Sequence, residues 1–151
     1  MGQISQWFAA ELLKTAFNRD TYVPAYDTLA VALVTTVPPV NADISTLTEP
    51  VGNGYARAPI PYNTANWVMG DYREVYNALD VLFPTATGYW GQIEGYVVLS
   101  AFLGTAVGAV VDYTNSQTAA VGQVITPVRV TTGVQLDLPA QTVSFGIYDA
   151  S

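Results

Sequence analysis

The apolar positions change their period several times along the chain, and each change marks an element. From Ile4 to Phe17 the apolar residues Ile4, Trp7, Phe8, Leu12, Leu13, Ala16 and Phe17 recur at spacings of three, four and one, as on one face of a helix. Gln3, Gln6, Glu11 and Lys14 take most of the opposite face. The pattern predicts an N-terminal α-helix over about 3–17, stopped by the polar residues 18–20. Next, 28–36 (TLAVALVTT) is short, apolar and rich in β-branched residues, which predicts a strand buried on both faces in the middle of a sheet. Over 37–54 three prolines, two glycines and small polar residues break any period, so this stretch reads as a long Pro-rich loop of the kind that reaches across a neighbour in an assembly.

Further on, 55–62 (YARAPIPY) carries Pro59 and Pro61 two apart. Both remove a donor from the same side of an extended chain, so the segment is an edge strand or unpaired. The stretch 67–72 reads as a hairpin or a turn around Met69, Gly70 and Asp71, while 74–82 fits a strand or a short helical turn equally well. Residues 95–103 and 108–113 read as paired strands. Segments 123–130, 134–138 and 142–148 follow at the ten-residue rhythm of sandwiches and barrels. In the second, Val134, Leu136 and Leu138 alternate with Gln135 and Asp137, as on a strand with one face in and one out. The expectation is a mainly β fold, an antiparallel β-sandwich, jelly-roll-like, with one N-terminal α-helix, in a single domain spanning 1–151.

Half of the residues are hydrophobic and only 11% are charged, against about 25% in an average soluble domain. Thr, Asn, Gln, Ser and Tyr cover much of the remaining surface, a composition suited to β-structure and to contact with other proteins. Twelve acidic residues against five basic ones give a net charge of -7, and the basic residues are scattered singly, so no nucleic-acid partner is expected. The start of the chain lacks the basic, continuously apolar pattern of a signal peptide, and no apolar run reaches the length of a membrane span; neither secretion nor a membrane partner is expected.

The sequence contains no His and no Cys, which removes the commonest general base and metal ligand, the thiolate nucleophile and any disulfide. Asp71 with Glu74 is the one close carboxylate pair outside the helix region, and beside Arg73 it reads as a solvated surface. No calcium-loop pattern occurs. Gly52, Asn53 and Gly54 lack the Lys and the context of a phosphate-binding loop and read as a turn. Tyr89, Trp90 and Tyr96 could line a sugar platform, but core or interface packing is the favoured reading. No catalytic, cofactor-binding or metal-binding residue is assigned, no cofactor is expected, and the chain is expected not to be an enzyme.

Several blocks in order resemble a family of small tailed-phage structural proteins, labelled either tail fibre proteins or head decoration proteins. They are the helix QWFAAELLKTAF, the strand TLAVALVTT, the Pro-rich loop, GNGYARAPI, and FPTATGYWGQIEGYVV over 83–98, which is the most specific. After Val98 the chain departs from the family pattern. The resemblance implies a β-sandwich with one N-terminal helix in a virion protein present in many copies.

Two placements follow from the resemblance. The favoured one is a capsid decoration (cement) protein on the outer surface of the head, made in the host cytoplasm, forming homotrimers on the major capsid protein lattice. The alternative is a tail fibre or adhesion module that binds a host-surface receptor; a chain of this length leaves little room for a fibrous shaft. The residues expected to touch neighbours are Trp7 and Phe8 on the helix and Pro38, Pro39 and Ile44 in the long loop. The helix stripe itself reads first as packing on the core and second as docking on a neighbour.

Overall fold

The computed structural model describes residues 2–4, 10, 13, 16–17, 28–37, 47–61, 63–70, 74–99, 118–121 and 126–146. Among these lie the strands β1 (Gly2–Ile4), β2 (Thr28–Val34), β3 (Ala58–Pro61), β4 (Trp67–Met69), β5 (Glu74–Asn77), β6 (Val81–Thr85), β7 (Gly91–Ile93), β8 (Gly95–Leu99), β9 (Thr118–Val121), β10 (Val128–Val130), β11 (Gln135–Leu138) and β12 (Ser144–Gly146). Eight of them form one sheet in the order β3-β2-β8-β9-β1-β12-β5-β4; β10 with β7 and β11 with β6 make two separate ribbons. Pairing is antiparallel except between β1 and β12. The mainly antiparallel β expectation therefore holds.

Strand β2 explains where the core sits. Its ladder with β8 runs from Ala30 opposite Leu99 to Val34 opposite Gly95, and its ladder with β3 from Thr28 opposite Pro61 to Val31 opposite Ala58. With a neighbour on each side, a strand covered on both faces must be apolar at successive positions, and Leu29 to Val34 are all buried. Leu29, Val31 and Leu33 face a cluster that includes Phe83, Trp90, Ile93, Tyr96, Val130 and Val143, drawn from the sheet, both ribbons and their connections. Ala30, Ala32 and Val34 face the other way, with Val97, Leu99 and Leu47. Burying each Leu or Val side chain contributes about 1.5–3 kcal/mol, so this strand anchors both clusters of buried residues.

At β3 the prolines do what their chemistry requires. The strand lies at one end of the eight-stranded order, with Ala58 and Ile60 buried and Pro59 exposed between them. The hairpin expected near Met69 is β4 with β5, and the undecided 74–82 stretch resolves into β5, a turn and β6. Within the described residues β8 runs from Gly95 to Leu99 and pairs with β9; the rest of the expected 95–103 strand and its expected partner at 108–113 lie outside the described residues.

The N-terminal expectation is corrected. Gln3 and Ile4 are not the start of a helix but strand residues, held between β12, with Gln3 opposite Gly146, and β9, with Ile4 opposite Ala120. Local periodicity describes which side chains share a face, and two flanking ladders override it by satisfying the backbone from both sides. No helix of the predicted 3–17 extent is seen; most of 5–20 lies outside the described residues. Within it the Phe17 amide donates to the Leu13 carbonyl at 3.1 Å, the spacing of one helical turn. Leu13 and Phe17, placed by the periodicity on a core-facing stripe, are 60% and 73% exposed.

Candidate functional site

The two blocks GNGYARAPI (52–60) and FPTATGYWG (83–91), distant in sequence, meet at one corner of the fold. Gly52, Asn53 and Gly54 have φ of 72°, 52° and 79°, three successive residues in the left-handed region. Only Gly enters it freely, with Asn the most tolerant of the rest. The turn closes with the Tyr55 amide donating to the Gly52 carbonyl at 3.0 Å, so the expected turn is present.

Its reversal turns the Asn53 peptide toward the second block. The Asn53 carbonyl accepts from the Trp90 indole Nε1 at 2.8 Å and from the Thr87 amide at 2.9 Å, while the Asn53 side-chain Nδ2 donates to the Tyr89 carbonyl at 3.0 Å. Gly88 lies beneath that side chain: a Cβ placed there would sit 2.5 Å from Asn53 Oδ1. Tyr55 then stacks edge-on against Trp90, with ring centroids 5.3 Å apart and planes at 83°, a favourable arrangement for aromatic quadrupoles.

A half-buried polar cluster continues from the corner to β2. Tyr55 donates its hydroxyl hydrogen to Glu49 Oε1 at 2.8 Å and accepts from the Leu33 amide at 3.0 Å. Arg57 closes the set, with Nε to Glu49 Oε1 at 2.9 Å and a second bond from Nη2 to Glu49 Oε2, so the half-buried pair is bidentate. Burial pushes the Tyr55 hydroxyl well above its ordinary value of 10.0, and the adjacent Glu49 carboxylate adds to the shift. Every donor and acceptor named here is spent on holding the chain to itself.

A second polar knot joins the other end of the core. Asn77 is fully buried; its Oδ1 accepts from the Val143 amide at 2.9 Å, and its Nδ2 donates to the Leu79 carbonyl at 2.7 Å and the Pro139 carbonyl at 3.1 Å. The Asp80 carboxylate takes the Ala140 amide at 3.0 Å. Nearby, loss of hydration and then the neighbouring Asp80 raise Asp137 above its ordinary 3.8.

Of the residues expected to touch neighbours, Trp7, Phe8, Pro38, Pro39 and Ile44 lie outside the described residues. The three aromatics do not make a platform: Trp90 and Tyr96 are buried in the core, and Tyr89 alone is 55% exposed. Of the acidic pair, Glu74 lies on β5 and Asp71 outside the described residues. Among the described residues no group of three carboxylates stands where it could hold a metal ion, and no helix is long and apolar enough to cross a membrane. Sequence reasoning missed Glu49, Arg57 and Asn77. Asn77 finds Pro139 and Val143 from far along the chain, while Glu49 and Arg57 stand eight residues apart on either side of the turn, a spacing that fits neither a helical nor a strand period as a signal.

The family model described as podophage GP4 fiber I protein gp80 matches residues 3–135. The chain belongs to that family of phage structural proteins. No curated protein matches it. The matched span takes in all of the sequence blocks, two of which meet at the corner described above.

Proposed function

We propose that the chain is a non-enzymatic structural subunit of a podophage virion, built into its fibre apparatus and acting through rigid turns presented to neighbouring virion proteins. The observation that carries this reading is the match to the fiber I protein family over 3–135. The corner supports it. Its hydrogen bonds are satisfied internally, which fixes a shape, and Val51 and Tyr89 stand exposed at its rim. Exposed Leu13 and Phe17 favour docking on a neighbour over packing on the core for that part of the N-terminal stripe. In this reading the chain forms a single domain, a sandwich in which the two ribbons make the second layer over the core they share with the sheet.

Head decoration is the second reading, with homotrimers clamping the major capsid protein lattice on the outer surface of the head. The low charge content favours it, since 11% charged residues leave a surface suited to dense lateral packing. Cryo-electron microscopy of purified virions, at a resolution that traces side chains, separates the two. Density for this chain in fibres is the expected result. Copies arrayed over the head lattice would replace the fibre reading with decoration, and absence from the particle would overturn both.

A further inference from the structure

The sequence places Gly directly after Asn once, at Asn53–Gly54, and both residues are exposed in the turn at the corner. Such a pair is chemically labile. The Gly54 backbone nitrogen, deprotonated by hydroxide, can attack Asn53 Cγ, and glycine, having no Cβ, leaves that nitrogen open to the approach. The N–Cγ bond forms and the Cγ–Nδ2 bond breaks; Nδ2 takes a proton from water and leaves as ammonia, returning the hydroxide. Water then opens the resulting succinimide. Opening at Cγ gives an ordinary aspartyl-glycine peptide, and opening at the Asn53 main-chain carbonyl carbon gives an isoaspartate, whose backbone runs through Cγ. Water is the only co-reactant, and the exposed turn admits it.

An intramolecular attack proceeds only as often as the reacting atoms reach bonding geometry, and at the corner neither partner turns freely. The peptide plane that carries the Gly54 nitrogen is fixed through the Asn53 carbonyl, which accepts from Trp90 Nε1 at 2.8 Å and from the Thr87 amide at 2.9 Å. The electrophilic Cγ is fixed through Nδ2, which donates to the Tyr89 carbonyl at 3.0 Å, and Gly88 packs beneath the same side chain. Closing the ring rotates the side chain against the peptide plane, and all three bonds oppose that rotation. We propose that Asn53–Gly54 is a deamidation site guarded by the corner, protected while Thr87, Tyr89 and Trp90 hold it and converted when the corner opens. Either product hinders re-closure. An aspartate at position 53 turns a carboxylate oxygen, with no proton to donate, toward the Tyr89 carbonyl. An isoaspartate displaces Gly54, where even a Cβ would stand 3.4 Å from the Thr85 carbonyl and the Thr87 side chain. The modification thus records each opening of the corner irreversibly, and it is independent of where the protein sits in a virion.

The test holds the wild-type chain at mildly alkaline pH, folded in buffer and unfolded in urea, and follows conversion at Asn53 by peptide mass spectrometry. The folded chain is expected to convert at least about tenfold more slowly, because reaction waits on local opening. Trp90→Phe removes the indole donor but keeps a ring against Tyr55; in the folded state it is expected to convert about fivefold faster than wild type, the effect of losing one hydrogen bond of ordinary strength. Val143→Ala loosens the buried core beside Asn77 and removes no bond from the corner, so its rate is expected to match wild type. The converted wild-type fraction, separated by its added negative charge, is expected to melt below its parent, a readout that stands even if Trp90→Phe fails to fold. Equal rates in buffer and urea, no acceleration in a folded Trp90→Phe, equal acceleration in Val143→Ala, or a converted fraction that melts with its parent would each overturn the proposal.

Discussion

The corner around Asn53 and the tip of the β6–β11 ribbon handle polar groups in opposite ways. At the corner, a half-buried carboxylate is matched by a bidentate guanidinium, and a strained turn aims one carbonyl at two donors. At the ribbon tip, where Asp80 and Asp137 are both exposed, loss of hydration and then the neighbouring Asp80 disfavour the charged form of Asp137. Water tolerates such like charges at little cost, whereas a buried group without its partner is expensive. Specificity in this chain therefore resides at the corner, and the ribbon tip is open to change.

The largest break in that contrast is expected from Trp90→Ala, which empties a core position and strips the Asn53 carbonyl of a donor. A loss of about 3–5 kcal/mol, read by chemical denaturation, is the expected outcome; a loss below about 1 kcal/mol, within the ordinary range for a minor substitution, would mean that the corner carries little of the fold. Gly88→Ala comes next, at about 1–3 kcal/mol of overpacking, because its Cβ would meet Asn53 Oδ1, Cγ and Cβ together. Gly133→Ala is the control: its φ of 87° is strained for Ala, but nothing lies within 4 Å, so about 1 kcal/mol of backbone cost is expected. Equal losses at the two glycines would remove the packing account of the corner.

Alkali sharpens the comparison further. Tyr55 is held above its ordinary 10.0 in the folded chain, so from pH 10 upward the unfolded chain releases that proton while the folded chain keeps it. Stability from this group is complete below 10 and is lost as pH rises toward the folded value. Thermal melts of the wild-type chain should show an alkaline fall that is shallower in Tyr55→Phe, and identical slopes would count against the buried hydroxyl. The smallest effect is expected from Asp137→Asn. Its folded value is raised, so the group favours folding most below 3.8 and loses that contribution as pH rises; at neutral pH the substitution should slightly raise the melting temperature. The gain should fade in high salt and below pH 4, and a fall in melting temperature would show that the carboxylate pair is not repulsive.

Some of this was legible in the chain itself. Six successive buried apolar residues over 29–34 announce a strand covered on both faces, because only such a strand removes the usual alternation. Pro59 and Pro61 announce an edge because each lacks a donor on the same side. The absence of His and Cys narrowed the chemistry, and Gly52-Asn53-Gly54 announced a turn, since only those residue types enter the left-handed region cheaply. The motif blocks marked the family, which the match over 3–135 bears out.

Tertiary structure alone decided the rest. Gln3 and Ile4 carry a helical period but become a strand, since β9 and β12, from far along the chain, supply their backbone partners. The meeting of Glu49 with Arg57, of Asn53 with Trp90 and of Asn77 with Val143 joins residues whose separation carries no period. Leu13 and Phe17 follow an amphipathic pattern yet face solvent. Local sequence determines which conformations a segment can afford and which of its faces is apolar; which distant groups complete its hydrogen bonds and cover that face is settled only when the whole chain packs.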